Sequence, residues 1–199
     1  MRRTKEQAEQ TRQDLLQSAL ELFVHQGYIQ TSISQIASRA KVTRGALYYH
    51  FMNKAEILKA LACLYLAPIF EAAQSALLAE QQVWKNLEQT LVTMFTDILD
   101  NPNRQAFFRI MHEQCGSSED VRQIMREYDE LFQQQSALMV EKGKLEGAIH
   151  QQLDAGYVHL HIGSMMNGLV SCYLTRCHEF SKEQALLVIR RTMASFNAS

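Results

Sequence analysis

Proline and glycine are scarce in this chain, at two and eight residues in 199. With the β-branched residues scattered as well, that composition argues against a sheet protein and favours helix. Long hydrophobic runs are lacking too. The longest mainly apolar stretch, Leu58 to Ile69, is shorter than a bilayer span and carries Lys59, so no membrane-spanning helix is expected. The charged start, Met1-Arg2-Arg3-Thr4-Lys5-Glu6, runs into a polar segment, which argues against a secretory leader and for a cytoplasmic protein. The four cysteines (Cys63, Cys115, Cys172 and Cys177) make no CxxC pair and no zinc-finger spacing, so buried, reduced thiols are expected. There is no internal repeat or low-complexity tract, no phosphate loop, no nucleophile elbow and no pair of catalytic carboxylates. His112-Glu113 is not a zinc-protease motif, because Gly116 stands where the second histidine belongs. His159 and His161 read as surface polar groups rather than metal ligands. Neither an enzyme nor a cofactor or metal site is expected.

What is present is apolar periodicity of helical spacing along nearly the whole chain. The pattern predicts an all-α protein of about nine helices. The first runs from Lys5 to Gln26, with a stripe of Leu15, Leu16, Ala19, Leu20, Leu22 and Phe23, and stops at Gly27. Ser32 and Gln35 have the spacing of a capping box for a short second helix with Ile33, Ile36, Ala37 and Ala40 inward. Lys41-Val42-Thr43 forms a tight turn, and Thr43 caps a third helix, Arg44 to Phe51, that buries Leu47 and Phe51. Asn53 caps the fourth, which continues to about Glu80 through Pro68. Later helices are expected at 83–99, 103–114, 118–154, 161–177 and 182–196. Two short capped helices across a tight turn, packed on a longer one, make a helix-turn-helix unit. The expected division is a DNA-binding domain at 1–54 and a ligand-binding and dimerisation domain at 55–199.

Charge agrees with that division. Residues 1–54 hold eight Lys/Arg and four Asp/Glu, a net +4, while the remainder is −5. A basic head suits phosphate, and an acidic body does not. On the third helix, Arg44 lies in the first turn and suits a bidentate fork to guanine. Thr43 can meet a phosphate or a thymine methyl, and Gly45 and Ala46 keep the surface low. Tyr48, Tyr49 and His50 offer long hydrogen-bonding side chains. Lys54 adds a cation at the start of helix four. The competing reading is a surface helix whose aromatics pack on neighbours.

Residues 31–54, TSISQIASRAKVTRGALYYHFMNK, closely resemble the DNA-binding signature of the TetR family of bacterial repressors, as do Ala19 to Phe23 and Gly27-Tyr28 before them. The resemblance covers about the first 60 residues. It implies a homodimer of all-helical subunits, with Thr43, Arg44, Tyr48, Tyr49 and His50 on the recognition helix and Lys54 on phosphate. Lys41 stands where the family commonly has glycine, so a left-handed backbone is expected there. Three further patches (2–8, 109–115 and 167–169) resemble the AcrR-like repressors of multidrug efflux pumps, although Gln114 and Gly116 depart from that subgroup's pattern. The subgroup implies a hydrophobic, drug-like inducer. By that resemblance Arg109, Glu113 and Asn167 are the polar ligand contacts, among apolar side chains that include Phe95, Phe107, Met111, Phe132, Met139, Met165 and Met166. The last two helices, with Met165, Leu169, Val170, Tyr173, Leu174, Leu186, Ile189, Met193 and Phe196, are expected to pack against a second copy. The implied function is repression at a palindromic double-stranded DNA operator, relieved when ligand changes the tilt of helix four. Regulation of another pathway, activation, or a helical ligand-binding bundle without a DNA role are the alternatives.

Overall fold

The computed structural model describes residues 5–176 and 181–198. Its described residues form nine helices: α1 (Lys5–Gln26), α2 (Ile33–Arg39), α3 (Arg44–His50), α4 (Lys54–Leu78), α5 (Val83–Asp100), α6 (Pro102–Gln114), α7 (Glu119–Leu145), α8 (Ala155–Arg176) and α9 (Lys182–Ala194). The expected all-α class holds, and among these residues extended pairing is confined to an isolated bridge between Ile149 and Asn197. Cys177 and His178 lie outside the described residues.

The chain divides into two compact units, one of residues up to 65 together with 106–125, the other of 66–105 together with 126 onward. In the first, the α1 stripe of Leu15, Leu16, Ala19, Leu20 and Phe23 is buried together with Ile36, Ala37, Leu47 and Phe51, so the helix-turn-helix has its own core. Ile57, Leu58 and Leu61 from the start of α4, and Phe107, Ile110, Val121 and Ile124, are also buried.

In the second unit Trp84, Leu87, Leu91 and Phe95 of α5 share a core with Met139, Val140, Ile162, Met166, Ile189, Met193 and Phe196. The Trp84 ring meets Phe196 edge-on at 5.6 Å, and its indole N–H donates to the Met193 carbonyl at 3.3 Å. Gln82 has a left-handed backbone (φ 62) and gives α5 no side-chain cap; Glu146 replaces it, accepting from the Val83 amide at 2.9 Å. Lys142 donates to the carbonyls of Leu77 (2.8 Å) and Ala79, closing the end of α4.

Three expectations are corrected. The single helix expected over 118–154 ends at Leu145, because Gly147 takes φ 66 and Gly143 is pressed against Ile149. The next helix then starts at Ala155, six residues before its expected beginning, with Asp154 accepting from the Tyr157 amide at 2.8 Å. Cys63 and Cys172 are exposed free thiols, not buried ones. Finally, Ile189, Met193 and Phe196 point into their own unit. The apolar side chains that α8 and α9 expose are instead Tyr157, Leu160, Leu187 and Val188.

Candidate nucleic-acid interface

The site is built on the α2–turn–α3 segment. Ser32 and Gln35 close the capping box at the start of α2. At its end the Lys41 amide donates to Ser38 and the Val42 amide to Ala37, at 3.1 and 3.0 Å, the paired bonds of a Schellman turn. That geometry needs a left-handed residue, and Lys41 supplies it with φ 55, as the departure from glycine led one to expect. Across α1 and α2, Arg39 donates to Glu21 at 2.7 Å. Hydrogen bonds from Gln17, and then from Arg39, hold the Glu21 carboxyl below its usual range.

Helix α3 is then fixed from both ends. Thr43 accepts from the Ala46 amide at 3.1 Å, and the Phe51 amide donates to Leu47 at 2.9 Å. Leu47 is fully buried, Phe51 nearly so, and Arg12 lies over the Phe51 ring at 5.5 Å. Everything else on α3 is left toward solvent. Thr43, Arg44 and Gly45 are exposed, Ala46 and His50 half-buried, and Tyr48 and Tyr49 are 48% and 80% exposed. A Cβ at Gly45 would meet only the Thr43 hydroxyl, at 3.9 Å, so the helix surface is low there. The His50 ring stands edge-on to Tyr49 at 5.0 Å. An exposed, capped first turn led by an arginine can enter a groove and offer donors to base edges.

Lys54 behaves differently. Its ammonium donates to the carbonyls of Tyr28, Thr31 and Ile29, at 2.6, 3.0 and 3.1 Å, and stands 4.4 Å over the Tyr28 ring. All three ammonium protons are thereby used. In this structure its side chain clamps the loop that joins α1 to α2. Desolvation by burial lowers the Lys54 pKa, and Asp120 opposes that shift. At this end of α4 Asn53 accepts from the Glu56 amide at 2.9 Å, as expected of a cap, and Glu56 accepts from the Met52 amide at 2.7 Å. Sequence reasoning missed Tyr28, which is buried and donates its hydroxyl to Asp120.

The profile of "Bacterial regulatory proteins, tetR family" matches residues 15–61, the segment just described. The uncharacterized HTH-type transcriptional regulator TtgW of Pseudomonas putida is 34% identical over 110 residues, 55% of this chain and 78% of that one. The chain belongs to the tetR family. HTH-type transcriptional regulator TtgR of the same species is 29% identical over 188 residues, 87% of this chain and 85% of its own. The SmeT–triclosan complex superposes with a TM-score of 0.87 at 17% identity, over 96% of this chain and 93% of that one, which shows the shared fold. This TetR-family chain is a transcriptional regulator, and the relatives it resembles are regulators rather than enzymes.

The expected ligand residues of this TetR-family regulator fall into both units. Arg109 and Glu113 are exposed on α6, within the first unit, where Phe107 and Met111 are core. Phe95 and Met166 are buried in the core of the second unit, and Asn167 is exposed on α8. The second unit also has an open cleft of about 680 Å³ lined by Gln81, Gln82, Trp84, Lys85, Glu88, Glu146, Ala148, Asn197 and Ala198; none of the expected ligand residues lines it.

Proposed function

We propose that this TetR-family regulator is a homodimeric, cytoplasmic repressor that reads a palindromic operator with α3 and leaves it when a small hydrophobic molecule binds. Residues 1–54 read DNA and residues 55–199 bind ligand and dimerise. Arg44 forks onto a guanine, while Thr43, Tyr48, Tyr49 and His50 take phosphates and neighbouring bases over the low surface of Gly45 and Ala46. The observation that carries this reading is the exposure of Arg44, Tyr48 and Tyr49 on a seven-residue helix whose caps and buried Leu47 fix it in place. Two copies put two such helices into successive major grooves, about 34 Å apart, and effective concentration joins two moderate affinities.

Phe95 and Met166, with Asn167 beside Met166, are the ligand contacts of the second unit under this reading. The ligand acts by its differential affinity for the two forms, which limits how far it can release DNA. Control of a multidrug efflux pump is supported by the AcrR-like patches and by the fold shared with SmeT, the repressor of the Stenotrophomonas maltophilia efflux pump SmeDEF. Selection from a random duplex library is the test. It is expected to return an inverted repeat protected on two successive major-groove faces. Recovery of no preferred sequence by the folded chain removes the operator reading.

A further inference from the structure

In the second unit, α7 and α8 carry two buried polar atoms to which the protein gives no partner, Oε1 of Gln135 and Nδ1 of His159. Both side chains are held by their other ends. The Gln135 amide nitrogen donates to the Phe70 carbonyl at 3.2 Å and to the Gln74 amide oxygen at 3.4 Å. Nε2 of His159 lies 3.4 Å from the Asp129 carboxylate. With the proton of a neutral ring on that nitrogen, Nδ1 is an acceptor.

His159 has an aromatic neighbour on α7. Phe132 precedes Gln135 by one turn of α7, and its ring packs on that of His159 at 5.0 Å. Met139, one turn beyond Gln135 on α7, and Met166, two turns beyond His159 on α8, belong to the adjacent core, and thioether side chains re-pack readily around a guest. Unpaired buried acceptors cost stability in the empty protein, so a partner that satisfies them gains that cost back on binding.

We propose that Gln135 and His159 recognise an aromatic ligand through a hydrogen-bond donor that it carries, a phenolic hydroxyl or a protonated amine, with its ring against Phe132. This rests on the reading of the second unit as a ligand receptor and adds the chemistry of what enters it. A molecule of the same shape without the donor leaves both acceptors unpaired and is rejected.

The test is calorimetric titration of the full chain with three probes of nearly equal shape: 2-naphthol, protonated 2-naphthylmethylamine and 2-methoxynaphthalene. At least one donor probe is expected to bind about tenfold tighter than the ether, and the two donor arms tell hydroxyl from ammonium. The preference should fall to about threefold or less in Gln135→Met and His159→Phe, which keep bulk and remove the acceptors. Equal affinity of the ether and both donor probes overturns the donor requirement and leaves the receptor reading standing. Survival of the preference in both variants, with thermal melting confirming their fold, also overturns it. Failure of the folded wild type to bind any of the three overturns the receptor reading as well.

Discussion

The hydroxyl of Tyr28 donates to the Asp120 carboxylate at 2.5 Å, joining residues 92 apart in sequence. Tyr28 follows Gly27, the left-handed stop of α1, and Asp120 lies in the first turn of α7. Lys54 grips the same loop from the start of α4, over the Tyr28 ring and on the Tyr28 carbonyl. The loop that sets the start of α2 is therefore held by side chains from two other helices.

Tyr28→Phe tests this bond. It keeps the buried ring and removes a hydrogen bond to a charged acceptor, so a loss of about 2 kcal/mol is expected in urea denaturation near neutral pH. Burial, and then Asp120, push the Tyr28 pKa above its ordinary 10.0. A folded-state pKa above the unfolded one gives stability that is complete below pH 10 and is lost as pH rises, since only the unfolded phenol then ionises. The gap between wild type and Tyr28→Phe should accordingly narrow above pH 10. A constant gap from pH 8 to 11 would contradict the assignment.

Lys54 and Arg44 make opposite predictions, though both are cations of the helix-turn-helix. Lys54→Met leaves three loop carbonyls without their donor and should lower stability by about 2 kcal/mol. With the ammonium held on those carbonyls, the salt dependence of operator binding should keep its slope. A slope smaller by about one counterion would restore Lys54 as a phosphate contact.

Arg44→Ala should leave stability within about 0.5 kcal/mol, since the side chain is exposed and α3 keeps its Thr43 cap. Specific binding should weaken by about 1–3 kcal/mol per half-site, with discrimination relaxed at the base Arg44 reads. Competition binding with operator variants measures both. Undiminished discrimination would take Arg44 off the base edge.

Local signals were legible in the sequence and distant ones were not. The capping box at Ser32 and the cap at Thr43 depend on residues three apart, so spacing alone located them. The left-handed backbone at Lys41 was legible only through the family resemblance, which places a glycine there. The clamp by Lys54 and the bond from Tyr28 to Asp120 close loops of 23 to 92 residues, and periodicity carries no such information. The break after Leu145 was obscured because the apolar pattern continues through Gly147, whose backbone turns left-handed in the fold. Ile189 and Met193 share the helical repeat of Leu187 and Val188, and only the packing of α9 on α5 decides which of them face inward.

Lys41→Gly separates two opposing terms. Relief of a non-glycine residue at φ 55 gains about 1 kcal/mol, while the freer unfolded chain takes back roughly half of it. A net gain of about 0.5 kcal/mol is expected in the denaturation midpoint. A loss of stability would mean that the Lys41 side chain contributes more than its backbone costs.

The dimer prediction turns on which side of α9 is charged. Leu187 and Val188 are 54% and 44% exposed, and Leu160 on α8 is 67% exposed, whereas Ile189 and Met193 are sealed in the core. Leu187→Asp therefore places a carboxylate where a second copy is proposed to pack, without disturbing the subunit interior. Sedimentation velocity should show a folded monomer, and operator affinity should drop by about a hundredfold as the two heads lose their shared effective concentration. Ile189→Asp buries the same charge without a partner and should unfold the chain instead. If Leu187→Asp stays dimeric with full operator affinity, the α8–α9 surface is not where the copies meet.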